Sequence, residues 1–296
     1  MYLLVVLSGF FIFLSSLGLK KNRADGAGRY LNLTFVVGIA SVISWSVTLI
    51  MRESVTKDMF LFALPFSALF VLGMIYGYKA YESGSMTVTA LFGNAYLVPV
   101  AVFGILAYSE PVTPFKVLGI VGVLIALTLL TFSEGADQEA DKPQEKKKFN
   151  VKWLLYCMGM IVTNTLLSVL AKVRQERVGG VNPFAYMALC YTFTFVLSAI
   201  TYAFLQIKNR TFQRDFFNAK ESAVSIGLQS FGNSAANLLV MFLISRVDVS
   251  IVYPVETGVA LVLSACCGFV FFKEKKTAQK LFGIVLGIVA IVILSI

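Results

Sequence analysis

A chain of 296 residues that is 58% hydrophobic and only 14% charged, with 26 Phe and a mean hydropathy of +0.81, is far more apolar than a soluble domain of that length requires. Its net charge of +9 comes with no histidine at all, which excludes Ser/His dyads, His-ligated metal or haem, and HExxH chemistry. The expectation is an integral membrane protein that is no enzyme and takes neither metal nor cofactor; nucleic acid is not expected as a partner, because the basic residues sit in short loops where membrane orientation accounts for them.

Hydrophobic runs between charged or Gly/Pro breaks predict ten spans, at 2–19, 30–51, 58–80, 85–108, 114–132, 152–173, 183–206, 220–245, 248–272 and 277–296. Each can cross a hydrocarbon core of roughly 30 Å as a helix. The first run has no basic region before it and no small-residue cleavage site before "KKNR", so it reads as a retained span. The stretch "EGADQEADKPQEKKKFN" (134–150) reads as a charged linker between a first unit, 1–133, and a second, 151–296. Cys157, Cys190, Cys266 and Cys267 fall inside apolar runs without metal or disulfide spacing and read as packing residues.

The two units are a repeat. Displacing the chain by 164 positions lays Gly104 on Gly268, Glu110 on Glu274, Lys116 on Lys280 and Gly119 on Gly283. Five spans per unit is an odd number, so the second unit enters the membrane from the opposite side and the repeats are inverted in topology. Charge agrees: 18 of the 25 Lys and Arg residues lie in the loops after spans 1, 3, 5, 7 and 9. By the positive-inside rule these loops are cytoplasmic and both termini lie outside the cytoplasm.

Ten spans in two five-span repeats, each with a small-residue-rich span, an acidic turn (Glu110, Glu274) and a closing "GIVGVLIAL" or "GIVLGIVAI", resemble the drug/metabolite transporter superfamily, in particular its EamA-like ten-helix members. The resemblance covers essentially the whole chain. It implies a carrier of a small organic solute in the cell membrane without naming the cargo. Members are usually drawn with both termini in the cytoplasm, opposite to the charge count here. The small multidrug resistance branch relies on a glutamate in its first span, which this chain lacks; the partner span 6 offers only Asn164.

Candidate site residues follow from depth and spacing. Glu256, in "YPVETG" with Tyr253 and Thr257 beside it, lies seven residues past Val249, on the order of 10 Å into its span. A carboxylate there must face a polar cavity, pair with a donor or carry a proton; Pro254 and Gly258 predict an irregular helix around it. Gln229, Asn233 and Asn237 recur every four residues and form one carboxamide stripe on span 8. Asn94 and Tyr96 with the helix breaker Pro99 on span 4, Tyr76 on span 3 and Trp45 on span 2 are the first unit's candidates. The plain alternatives are a structural glutamate and interhelical hydrogen-bond glue. Glu110 and Glu274 precede the last helix of each unit, and a helix N-terminus accounts for them.

The sequence thus predicts an all-α integral membrane carrier of ten transmembrane helices in two inverted five-helix repeats, moving a small-molecule substrate through the lipid bilayer by alternating access, with protons coupled through Glu256. The competing readings are an uncoupled exchanger or facilitator, and a lipid or lipid-linked-sugar flippase of the same fold.

Overall fold

The computed structural model describes residues 2–22, 24, 26–108, 113–141, 151–178, 182–209, 212–243, 249–274 and 277–294. Among them the chain is helical, with no strand: α1 (Tyr2–Lys21), α2 (Gly28–Met51), α3 (Lys57–Ser83), α4 (Met86–Asn94), α5 (Leu97–Tyr108), α6 (Pro114–Asp141), α7 (Val151–Val178), α8 (Pro183–Asn209), α9 (Phe212–Glu221), α10 (Ala223–Leu243), α11 (Val249–Val270) and α12 (Ala278–Leu294). Seven stretches among the described residues are long and apolar enough to cross a membrane, and shorter apolar helices cover 117–126, 256–270 and 278–293. Large side chains such as Leu49, Leu61, Leu106, Phe204 and Phe271 stand exposed. So much uncovered apolar surface is what a bilayer covers. The protein is a multi-pass membrane protein.

Among the described residues the predicted runs fall on helix, with some departures. Span 4 is broken: α4 stops at Asn94 and α5 starts at Leu97. Pro99 has no N–H to give the Ala95 carbonyl, which instead accepts a tighter bond from Val98 N at 3.1 Å. The Gly93 carbonyl is taken from the side by Asn164 Nδ2 of α7, at 3.3 Å. By contrast α11 runs unbroken through Pro254, so the irregular helix expected around Glu256 is not there. The last departure is α9, a short helix where only a loop was expected; its Phe212 and Phe216 against Gln213, Arg214 and Lys220 give it an amphipathic sequence, and the pattern was there to be read. Helix α6 also runs on through Asp141, where the charged linker was expected to begin.

The packing pairs helices of 1–133 with helices of 151–296. α1 lies on α10 and α7 on α3; α2 lies on α8 and α6 on α12; α1 also packs on α11 as α7 does on α4 and α5. Glycine lets the first of these meet backbone to backbone: a Cβ at Gly232 would stand 2.6 Å from Phe11 O and from Ser15 N. Such small-residue crossings are how helices associate without a hydrophobic drive. Buried residues fall into two main clusters, one around α2, α3 and α8, the other around α4, α7, α11 and α12. Tyr202 belongs to the first and is buried, not part of an interfacial belt. Cys157, Cys190 and Cys267 are buried, as packing residues should be, while Cys266 is exposed.

Gly232→Val is expected to destabilise the protein by about 1–3 kcal/mol through overpacking. Gly227→Ala, where a Cβ would meet nothing within 4 Å, leaves it unchanged. Thermal unfolding of the detergent-solubilised protein checks both.

Candidate functional site

Glu256 is buried, at 2% exposure, and its Oε1 has no hydrogen-bond partner. Its surroundings are set by α1. A Cβ on Gly9 would stand 2.6 Å from the Glu256 carbonyl oxygen, so α1 and α11 touch there through backbone. The neighbouring Ser8 is wholly buried, with its hydroxyl against the Glu256 side chain and donating to Val5 O at 2.8 Å. Thr257 is buried beside it, and Gly258, two residues on, faces open space. Tyr253 lies on the same helix, but its side chain is outside the described residues. No hydrogen bond among the described residues joins Glu256 to Asn94 or Asn233. The carboxylate therefore stands apart from the amide network, with the Ser8 hydroxyl of α1 beside it and one oxygen unmet. A carboxylate buried within a membrane span is costly, roughly 2.5–3.5 kcal/mol on insertion scales for the comparable Asp.

The carboxamide stripe of α10 faces protein. Asn233 Oδ1 accepts from the Tyr191 hydroxyl of α8 at 2.6 Å. Asn237 Nδ2 donates to that same hydroxyl at 3.1 Å and to Asn233 O at 2.8 Å. One turn towards the N-terminus, Gln229 is fully buried and its Oε1 accepts from Tyr78 OH of α3 at 2.8 Å. Sequence reasoning missed both tyrosines as partners of the stripe. Nothing in the spacing of the chain ties Tyr191 to Asn233, because the link is made only where α8 meets α10.

The first unit's candidates gather at the break between α4 and α5. Asn94 Nδ2 closes back on Ala90 O at 2.8 Å, and Asn164 reaches Gly93 O from α7. Tyr96 sits in the break itself. The Tyr76 ring lies flat enough on Gly159 that a Cβ there would be 2.7 Å from it. Trp45 stands apart: its indole N–H donates to Thr192 Oγ1 at 2.9 Å in the α2–α8 seam. The structure thus makes three groups, around Glu256, along α10 and at the α4–α5 break. Among the described residues no cluster of His, Cys, Asp or Glu could hold a metal ion.

Glu274 does not act at the start of its own helix. Its carboxylate accepts from Met86 N at 2.6 Å and Thr87 Oγ1 at 2.8 Å, at the N-terminus of α4 in the other unit, with Lys280 Nζ 3.3 Å away. Its repeat partner Glu110 lies outside the described residues.

Comparison with known proteins adds the family. The family described as "Sugar transport protein" matches residues 12–296. Relatives in two strains of Bacillus cereus and in Bacillus anthracis carry the name "Putative sugar uptake protein"; each is 25% identical over 225 residues, spanning 75% of this chain and 72% of the relative. One crystal structure shares the fold, with a TM-score of 0.60 at 16% sequence identity over 98% of this chain and 97% of that one.

Glu256→Gln is expected to leave thermal stability unchanged or raise it, because it removes a buried charge with one oxygen unmet and keeps a group that Ser8 can bond. Tyr191→Phe, which strips the shared hydroxyl from both asparagines, costs about 1 kcal/mol or more. Thermal unfolding in detergent compares the two.

Proposed function

The chain belongs to the sugar transport protein family, and from that membership we propose that it carries a neutral sugar across the membrane by alternating access. The family is one of transport proteins, not of enzymes. The observation that carries the substrate reading is the chemistry at membrane depth. Amides and hydroxyls on α3, α7, α8 and α10, with one carboxylate on α11, supply donors and acceptors for hydroxyl groups, and each sugar hydroxyl is itself both donor and acceptor. Among the described residues Lys20, Lys79, Lys172 and Arg174 lie within about two turns of the C-terminal ends of their helices, and Arg29 and Lys280 lie in the first turns of theirs. A phosphorylated sugar would find no counter-charge at mid-depth; a neutral one needs none.

The packing supports two inverted halves, 1–133 and 151–296, of the drug/metabolite transporter kind. Exchange the halves and the pattern returns to itself: α1 on α10 becomes α7 on α3, while α2 on α8 and α6 on α12 map onto themselves. The crossing pairs run antiparallel, as the contacts Gly18 with Ser225 and Gly232 with Phe11 require for α1 and α10. Two halves of opposite topology demand that arrangement.

Proton coupling is assigned to Glu256. An unmet carboxylate oxygen against Ser8, beside the open space at Gly258, is suited to take up and release a proton as α1 and α11 shift. Uptake driven by the proton gradient fits the relatives' names, and the positive-inside count would place the end of α1, the start of α2 and the α3–α4 turn on the cytoplasmic face of the cell membrane.

Counterflow of radiolabelled D-glucose, D-ribose and D-xylose in proteoliposomes tests the carrier. Wild type is expected to exchange at least one of them. Asn233→Leu is expected to raise KM about tenfold, the equivalent of ~1.4 kcal/mol. Glu256→Gln should retain counterflow and lose accumulation against a concentration gradient under an imposed pH difference; full pH-driven accumulation by this variant rejects coupling at Glu256, and exchange of polyprenyl-linked sugars alone rejects the sugar reading in favour of a flippase.

A further inference from the structure

A second polar group lies where α1 ends, apart from Glu256 and from the Tyr191 network. Asn22, just after α1, accepts through Oδ1 from Asn32 Nδ2 of α2 at 3.0 Å. Its side chain also meets the Tyr78 hydroxyl, which in turn donates to Gln229 Oε1 at 2.8 Å. Four side chains from four elements thus form one chain, Asn32–Asn22–Tyr78–Gln229, and Asn32, Tyr78 and Gln229 are at most 3% exposed. Three of its buried atoms close no hydrogen bond: Asn22 Nδ2, which faces the Tyr78 hydroxyl, Asn32 Oδ1 and Gln229 Nε2. Buried polar atoms are nearly always satisfied, and three orphans in one connected chain are a concentration that helix–helix glue does not explain. Two are donors and one is an acceptor, the complement of adjacent hydroxyl groups.

The position of this chain gives the orphans a use. On α10, Asn237, Asn233 and Gln229 descend in steps of four residues, so the amides form a continuous column about 12 Å long from mid-depth towards the end that meets the α1–α2 turn. On α2, Arg29 lies one turn beyond Asn32, and on α3, Glu82 lies one turn beyond Tyr78. Those two outer residues pair with each other. The ion pair therefore caps the amide chain on the side where most of the cations lie.

We infer that Asn22, Asn32 and Gln229 form a second hydroxyl-binding station for the sugar, one that the sugar occupies when the Arg29–Glu82 face is open. The inference rests on the carrier reading and adds a side to it. Sugar released from the Tyr191–Asn233–Asn237 level passes down the α10 column and meets two N–H donors and a carbonyl acceptor before leaving. Tyr78 holds Gln229 and Asn22 in place and is a positioning residue.

The test compares transport initiated from each face, using right-side-out and inside-out membrane vesicles and whichever of D-glucose, D-ribose and D-xylose the wild type carries. Gln229→Met and Asn32→Ala are each expected to raise KM about tenfold for entry from the face that carries Arg29 and Glu82, and to leave KM from the other face within about twofold. Asn32→Ser keeps the test open should either variant fail to reach the membrane. Tyr78→Phe, a purely positional change, should lower stability with a smaller sided effect. Equal changes from both faces, or none, overturn the station while leaving the carrier standing. Absence of sugar movement by the wild type overturns the carrier reading and the station together.

Discussion

Everything at the centre of this molecule depends on how closely α1 can approach its neighbours. Within a bilayer, helices gain nothing from burying apolar surface against one another, since lipid is equally apolar, and only close packing and hydrogen bonds hold them. α1 obtains both through its own glycines and its neighbours'. Gly9 lets it rest on the backbone of α11 at Glu256, Gly18 lets it rest on α10 at Ser225, and Gly232 of α10 receives Phe11 and Ser15 in return. Ser225 then donates to Gly18 O at 2.6 Å, sealing the crossing with a bond from side chain to backbone. α1 is in this way packed against both α10 and α11, and the same contact that excludes lipid sets Ser8 against the carboxylate.

The polar groups at depth divide by what they cost. Tyr191, Asn233 and Asn237 satisfy each other and contribute to stability. Glu256 leaves an oxygen unmet, and the chain Asn22, Asn32 and Gln229 leaves three further atoms unmet. A buried group without a partner is unfavourable by about 1–3 kcal/mol, more for a charge. A membrane protein selected for stability alone would replace them with Leu or Ala. Their burial without partners is the physical reason to propose a functional role for them, and they are separated into a carboxylate near α1 and an amide column on α10.

The order and character of the helices were legible because hydropathy over a 20-residue window is a direct consequence of bilayer thickness, which no tertiary contact overrides. The stripe of Gln229, Asn233 and Asn237 was legible for the same reason: its i, i+4 spacing is a property of one helix. What could not be read depended on a second helix. Two prolines, Pro99 and Pro254, looked equally able to interrupt a span, yet only the first does. The difference lies in Asn164, which diverts the Gly93 carbonyl beside a carbonyl already deprived by Pro99. Likewise Glu274 is six residues from Lys280 and looked local, whereas its carboxylate is spent on Met86 and Thr87 nearly 190 residues away in sequence.

The contacts among the ends of α1, α2 and α3, and those between α4 and the turn before α12, are graded in strength, and the grading bears on how a carrier could work. Arg29 and Glu82 pair where Glu82 is about half exposed, a setting in which an ion pair contributes only about 0–1 kcal/mol. Lys20 reaches Tyr81 O at 2.8 Å and the Gly84 carbonyl, bonds that water replaces readily at a helix end. Glu274 and Lys280 are different: both side chains are almost fully covered, and the carboxylate also holds the first N–H of α4. Removing one partner of such a pair strands a buried charge and costs several kcal/mol. A face that opens and closes on each cycle can break the first two contacts cheaply but should move the third as a unit. α4 and the turn at Glu274 are thereby tied more tightly than the contacts at Lys20, Arg29 and Glu82, and Arg29 and Glu82 lie one turn beyond Asn32 and Tyr78.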